Sequence, residues 1–197
     1  MNKPDFRRYY HLETYLFDEV SSRFAEQHNL SAFDFFCIAI WKANRSKSRI
    51  ARRLLAAGHA DLDAAVGALL SQIAAAPTAK ERLRVLVQDW KFRLPMASAI
   101  LTVLYPNDFT VYDVRVCEML HNFRGVQDKP KFEAQWEGYC SYRDAVTRTA
   151  PPALSLRDKD RWLWGQSFSE QLQRDVANGF TRTGESPESG VFRTYNS

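Results

Sequence analysis

The sequence predicts an all-α protein, and three observations carry this prediction. Apolar and aromatic residues recur at helical spacing in most segments, with charged residues on the opposite faces. Helix signals separate these segments: Ser31 is a typical cap, and Thr78 with Glu81 forms a capping box. Gly58 and Pro77 are typical helix ends. No stretch alternates long enough for a strand, so we expect roughly eight to ten helices of ordinary length.

The helices follow one another along the chain. The first is expected from residue 5 to about 28, and the second, which is very apolar, follows Ser31. Later helices are expected over 61–76, from 78 to the hairpin, over 113–122, over 132–149 and over 155–177. Residues 1–179 are expected to form a single domain. The segment 180–197 is rich in Gly, Ser, Thr and Glu, and we expect a flexible tail there.

Composition limits the function classes. Of the 197 residues 45% are hydrophobic, which is enough for a sizeable core, and the net charge of +4 permits a polyanionic partner. Cys37, Cys117 and Cys140 lie too far apart in sequence for a metal or iron–sulfur motif, so we expect no such cofactor. The N-terminus lacks a signal-peptide core, and no apolar run has membrane-spanning length. We therefore expect a cytoplasmic monomer that binds no membrane.

One stretch organises the chain. Residues 93–101 read Arg-Leu-Pro-Met-Ala-Ser-Ala-Ile-Leu, and residues 109–115 follow with Phe-Thr-Val-Tyr-Asp-Val-Arg. Leu94 and Pro95 are expected to end the preceding helix, since proline disfavours helical geometry in the residue before it. The small residues at 97–99 would let another backbone approach and leave amides free at the next helix start, where an anion such as a DNA phosphate binds. Asp113 is then expected at the start of a further helix.

These residues resemble the helix-hairpin-helix DNA glycosylases. Leu94-Pro95-Met96-Ala97-Ser98 corresponds to the Leu-Pro-Gly-X-Gly hairpin of that family, and Asp113 to the catalytic aspartate of its Val-Asp segment. The matching motifs cover about twenty residues of the chain, which is the length of a short supersecondary motif. The resemblance implies two helical lobes with a cleft between them, where a base flipped out of DNA meets the aspartate. It also implies an enzyme that cleaves N-glycosidic bonds.

The sequence departs from the family at three positions. Met96 and Ser98 replace the two hairpin glycines, so a phosphate, or the monovalent cation that some members hold there, is bound differently or weakly. Bifunctional members carry a nucleophilic lysine where this chain has Ile100. The resemblance therefore implies a monofunctional enzyme, which leaves an abasic site and forms no Schiff base.

Asp113 is the candidate catalytic residue. Breaking an N-glycosidic bond builds positive charge on the sugar, and a nearby carboxylate stabilises that charge and orients water. A helix N-terminus favours the ionised form of such a group. The alternative is an aspartate that only caps its helix.

Candidate DNA contacts are basic residues and the hairpin itself. The basic run after the second helix has no acid in it, which is typical either of phosphate binding or of a solvated surface. Arg93 and Arg115 flank the hairpin and the acid, and each could contact phosphate or pair with a carboxylate. The full set is Arg93, Pro95, Met96, Ala97, Ser98, Arg115, Lys42, Arg45, Arg49 and Arg52.

A flipped base needs flat surfaces around it. Five aromatic residues are candidates for the base pocket, with core packing as the alternative for each: Tyr112, Trp41, Trp164, Trp162 and Tyr105.

The leading hypothesis is a monofunctional DNA glycosylase. Within the family, compact chains resemble a bacterial antiphage enzyme that removes glucosylated hydroxymethylcytosine from phage DNA, which makes that base the specific expectation. The alternatives are a repair glycosylase for alkylated or oxidised bases, a helix-hairpin-helix module that binds DNA without catalysis, and a helical protein-interaction domain with a chance motif.

Overall fold

The structure of the protein is a computed structural model that describes residues 5–181. Over that range the chain is all-helical and has no strand, which confirms the predicted fold class. Short 3₁₀ turns cover Phe6–Tyr9, Asn44–Ser46 and Arg124–Asp128, and π-helical turns cover Tyr15–Val20 and Val85–Asp89. The α-helical segments are α1 (Leu12–Thr14), α2 (Ser21–Gln27), α3 (Ala32–Ala43), α4 (Lys47–Leu55), α5 (Leu62–Ala75), α6 (Ala79–Arg84), α7 (Leu94–Leu104), α8 (Val114–Met119), α9 (Phe132–Thr149) and α10 (Leu156–Ala177).

The sequence predicted one continuous helix from residue 5 to about 28, but the structure breaks it near its start. Asp5 caps a single 3₁₀ turn, and His11 then takes a non-helical conformation before α1 begins. From α1 the chain runs without a break through the π turn and α2. His28 ends this helix in the left-handed conformation, with φ of 53°.

Most helix boundaries agree with the sequence because local capping sets them. The hydroxyl of Ser31 accepts the backbone N–H of Asp34 at 3.2 Å, and the hydroxyl of Thr78 accepts that of Glu81 at 3.2 Å. Each such cap satisfies an N–H that the helix itself leaves without a partner.

The turn before α7 lies earlier than predicted. The π turn ends at Asp89, and Lys91 reverses the chain with φ of 57°. Leu94 and Pro95 begin α7 and do not end the preceding helix, which corrects the sequence prediction. Proline suits the first turn of a helix because the N–H that it lacks would have no helical partner there.

Helix α7 is the central element of the core. All of its residues except Pro95 are buried, and it packs against α3, α2 and α6. One contiguous hydrophobic cluster includes residues from α2 to α10. After α7, residues 109–112 continue in a buried, non-helical segment that ends at Asp113. The position of Asp113 is therefore fixed by the core.

The C-terminal tail predicted over 180–197 lies outside the described residues from 182 onward. Within residues 5–181, none of the helices combines the length and the apolar character needed to cross a membrane.

Candidate active site

Two tyrosines of α9 hold the segment that leads to Asp113. The hydroxyl of Tyr139 donates to the carbonyl of Thr110 at 2.7 Å and accepts its N–H at 3.0 Å. The hydroxyl of Tyr142 donates to the carbonyl of Val111 at 2.8 Å. Because both tyrosines are fully buried, this backbone is anchored from within the core.

The carboxylate of Asp113 has two partners of different kinds. Oδ1 accepts the backbone N–H of Arg115 at 2.9 Å, which makes Asp113 the N-cap of α8. Oδ2 accepts a hydrogen bond from the ammonium of Lys42 at 2.6 Å, across 71 positions of sequence. The side chain of Asp113 remains 24% exposed. Asp113 therefore caps its helix and also reaches a solvent-accessible site.

The surroundings of Asp113 favour its anionic form. Burial opposes ionisation, but the charge and hydrogen bond of Lys42, together with the N–H and charge of Arg115, outweigh it and lower the pKa of Asp113. The group is therefore a carboxylate at neutral pH. A carboxylate is the form required to stabilise a developing positive charge on a sugar.

Asp113 lines a cavity of about 500 Å³. Segments distant in sequence form its walls: α1 and the end of α3 on the N-terminal side, and α10 on the C-terminal side. The lining residues are Glu13, Trp41, Lys42, Val111, Asp113, Arg157, Asp160, Arg161 and Trp164. The volume lies within the range of ligand pockets, about 300–1,000 Å³.

Arg157 organises the charged wall of this cavity. Its guanidinium donates to Glu13 Oε1 and to Asp160 Oδ2, each at 2.5 Å. Its charge also lies over two aromatic rings, 4.9 Å from the centroid of Phe17 and 5.1 Å from that of Trp41. Arg157 thereby links α10 to α1 and α3 across the cavity.

Two of the three carboxyl groups that line the cavity, those of Asp113 and Asp160, have opposite surroundings. Asp160 is 3% exposed, and its burial raises its pKa to about 6, against the opposing charges of Arg157 and Lys42. The charge of Asp113 adds to that rise. Asp160 therefore takes up its proton closer to neutral pH than Asp113 does, because burial dominates at Asp160 and the charge of Lys42 dominates at Asp113.

Sequence reasoning missed five of the lining residues: Glu13, Val111, Arg157, Asp160 and Arg161. A signal was present for the last three, because they recur with Trp164 at intervals of three and four residues and so share one face of α10. Glu13 had no comparable signal, since its partner Arg157 lies 144 positions away.

Two of the five aromatic candidates line the cavity, namely Trp41 and Trp164. Tyr112 does not, which corrects the prediction: it is 2% exposed, and its hydroxyl donates to the backbone carbonyls of Phe123 and Arg124. Tyr105 is held elsewhere, since Arg82 lies 3.9 Å from its ring centroid.

Trp162 is exposed on α10 but does not line the cavity. It lies two positions before Trp164 in the sequence, so the two side chains are about 200° apart around the helix. The prediction that Trp162 forms part of the pocket is therefore wrong as well.

The start of α7 offers no free phosphate cradle. The amides of Met96 and Ala97 both donate to the carbonyl of Arg93 at 3.0 Å. Ala97 and Ser98 are fully buried, and the hydroxyl of Ser98 accepts the N–H of Tyr112 at 2.8 Å. This corrects the expectation of outward amides and removes Ala97 and Ser98 as direct phosphate contacts. Their small size instead lets the 109–112 segment pack against α7.

The remaining hairpin residues face a second, smaller cavity of about 230 Å³. Pro95 and Met96 line it from α7, with exposed Arg93 beside them and Arg49 opposite. Arg93 also pairs with Asp128 at 3.1 Å. Of the residues that the structure describes, Lys42 is the one that lines both this cavity and the cavity at Asp113.

The predicted basic set divides into two groups. Arg45, Arg49 and Arg52 are exposed on and before α4, where a polyanion can reach them. Lys42 is not a surface phosphate contact, which corrects the prediction, because its 14% exposed side chain is paired with Asp113. Arg115 is half-buried and donates to Gln171 Oε1 at 2.6 Å.

A wider depression of about 710 Å³ is lined by residues between 117 and 141, among them Glu118, Arg124 and Lys129. It does not include Asp113, and Glu118 and Arg124 pair with each other. The cavity at Asp113 is therefore the better candidate site. Across residues 5–181, no group of three His, Cys, Asp or Glu side chains is arranged to hold a metal ion. The monovalent cation at the hairpin stays a prediction.

Over the described residues the protein is all-α, and it has a cavity lined by charged and aromatic side chains that include the carboxylate of Asp113. Comparison of the chain with protein families, with curated proteins and with solved structures found no match.

Proposed function

We propose that this protein is a monofunctional DNA glycosylase, which flips a modified base out of DNA and hydrolyses its N-glycosidic bond. The observation that carries the proposal is Asp113: it is anionic, partly exposed, and placed in a cavity with Trp41 and Trp164 on its walls. In this proposal α6 and α7 act as the helix-hairpin-helix element. The segments on the two sides of the cavity act as two lobes around a cleft.

In the proposed cleavage of the N-glycosidic bond, Asp113 and Lys42 have different roles. As the bond between the base and C1′ breaks, its electron pair leaves with the base and the sugar becomes positively charged. Asp113 stabilises that charge and orients a water molecule, whose oxygen bonds to C1′ while its proton passes to the carboxylate. Lys42 keeps Asp113 anionic and fixes the direction of its Oδ2.

The surroundings of Lys42 also support a monofunctional reaction. Ile100 is fully buried in α7 and has no amine, and the amine nearest to Asp113 is that of Lys42. The Nζ of Lys42 is engaged as a hydrogen-bond donor to Asp113, so it would have to leave this ion pair to attack C1′. We therefore propose hydrolysis without a Schiff base, so borohydride should trap no covalent complex with DNA.

The substrate we propose first is glucosylated hydroxymethylcytosine in phage DNA, which would make the enzyme an antiphage defence acting as a cytoplasmic monomer. A cavity of about 500 Å³ exceeds what a flat base alone would fill, and Glu13 and Arg161 on its wall offer partners for sugar hydroxyls. Alkylated or oxidised bases are the alternative substrates.

The experiment is an excision assay on matched DNA duplexes that carry plain, glucosylated, alkylated or oxidised bases, followed by alkali. Wild-type protein should produce alkali-labile sites on one modified duplex, and Asp113→Asn should reduce their rate by about 10²–10³-fold. Asp61→Asn is the matched control, because Asp61 caps α5 in the same way but lies outside the cavity.

Two outcomes would overturn the catalytic proposal. Salt-dependent DNA binding without an abasic site on any substrate would assign a non-catalytic DNA-binding module. Binding that does not depend on salt, or no binding at all, would favour a protein-interaction domain.

A further inference from the structure

An exposed pair of aromatic rings adjoins the cavity on α10. Trp164 and Phe168 lie one helical turn apart, with ring planes 7° from parallel and centroids 5.7 Å apart. They are 43% and 45% exposed, although both are large apolar side chains. Trp164 also lines the cavity that contains Asp113. We call Trp164 and Phe168 the aromatic platform.

The cation of Arg115 lies over both rings of the aromatic platform. The guanidinium carbon of Arg115 is 5.5 Å from the ring centroid of Trp164 and 6.0 Å from that of Phe168. Gln171 fixes it by accepting a hydrogen bond at 2.6 Å. The side chain of Arg115 takes part in none of the ion pairs found among residues 5–181, and its charge acts on Asp113 only from beyond ion-pair distance. Its positive charge is therefore available to an anion outside the chain.

We propose that the aromatic platform stacks against the nucleobase next to the one that enters the cavity, while Arg115 binds an adjoining phosphate. Exposed aromatic surface together with a cation is the combination by which proteins hold single-stranded nucleic acid, and Trp164 and Phe168 keep 43% and 45% of their surface exposed with Arg115 over them. The inference rests on the base flipping of the proposed function and not on the hydrolysis that follows it, because a neighbouring base of a duplex exposes its face once the target base has left the stack.

The composition of α10 favours a nucleobase over a partner helix. The exposed apolar stripe of α10 continues beyond Phe168 through Leu172 and Val176, which are aliphatic. The parallel rings and the available cation are confined to the end of the stripe nearest the cavity. A helix that docked on this face would contact the whole stripe, whereas a stacked base needs only the platform.

The test uses the full chain and a single-stranded oligonucleotide with one 2-aminopurine, whose fluorescence falls when the base stacks on an aromatic ring. Phe168→Leu keeps apolar bulk but removes the ring, and should weaken binding about 5–150-fold with loss of the quenching, the range that stacking of one base implies. Phe168→Tyr should retain both. Leu172→Ala is the control on the same face, with an affinity within about twofold of wild type.

Three other outcomes would each overturn the proposal that the aromatic platform stacks against a nucleobase. Equal affinities and equal quenching for Phe168→Leu and Leu172→Ala would show that the platform contacts no base. A wild-type dimer that becomes a monomer in Phe168→Leu, with DNA affinity unchanged, would assign the stripe to self-association. Wild-type protein that binds no DNA would overturn this inference together with the proposed function.

The two proposals fail separately in the remaining cases. If Phe168→Leu loses stacking but wild-type protein excises no base, the platform stands and the catalytic proposal fails. If wild-type protein excises a base and Phe168→Leu binds and excises equally well, the platform alone fails.

Discussion

Removing the ammonium of Lys42 should destabilise the fold by leaving Asp113 without its charge partner. Breaking a buried ion pair costs about 3–5 kcal/mol, and an exposed pair contributes about 0–1 kcal/mol. The two side chains here are 14% and 24% exposed, so we expect a coupling energy between these limits, about 1–3 kcal/mol. Urea unfolding of Lys42→Met, Asp113→Asn and the double variant at pH 7 gives this energy as a double-mutant cycle.

A control variant accompanies the double-mutant cycle of Lys42 and Asp113, and one outcome of the cycle would refute the ion pair. Lys47→Met removes an exposed lysine whose partner is the amide of Asn44 at 2.8 Å, and should change stability by less than about 0.5 kcal/mol. In Lys42→Met the burial of Asp113 would no longer be offset, so its pKa, followed by carbon-13 NMR of the carboxyl, should rise. A coupling energy near zero, with the pKa of Asp113 unchanged, would refute the ion pair.

Three further predictions test other parts of the site. The pKa of Asp160 is about 6 in the folded protein, against an ordinary value of 3.8, so between about pH 4 and 6 the folded state holds a proton that the unfolded state has lost. The stability that this proton contributes therefore falls by about 3 kcal/mol as the pH rises through this window. Asp160→Asn should flatten the curve of unfolding free energy against pH over the same range, and an unchanged curve would contradict the burial argument. Arg115→Gln should lower the slope of log affinity for DNA against log salt by about one, and an identical slope would exclude a phosphate contact. Ser98→Ala should cost about 1–3 kcal/mol in urea unfolding, because the buried N–H of Tyr112 loses its acceptor, and a cost below about 0.5 kcal/mol would mean that this N–H finds another partner.

The sequence predicted best what local interactions determine. Ser31, Thr78 and Asp113 each cap a helix within three residues of themselves, and a short window of sequence contains all the groups involved. The same local reasoning misplaced the turn before α7. Proline is compatible both with ending one helix and with starting the next, and the left-handed conformation of Lys91 decided between them.

The site itself depends on contacts between distant segments, which a single sequence does not reveal. Asp113 was found from its motif, but Lys42 was assigned to phosphate because a basic run is usually exposed. Its actual partner lies 71 positions away. Tyr112 was assigned to the base pocket as an aromatic residue next to the acid, whereas adjacent residues of an extended segment point in opposite directions and its ring enters the core.

The most direct test of the central claim is mass spectrometry of the small molecules released from DNA that contains glucosylated hydroxymethylcytosine, or from whichever modified duplex becomes alkali-labile. Wild-type protein should release the intact modified base and leave one abasic sugar for each base, and Asp113→Asn should release it at least about a hundredfold more slowly. Equal rates of release by wild type and Asp113→Asn, with Asp61→Asn behaving like both, would contradict the catalytic role of Asp113.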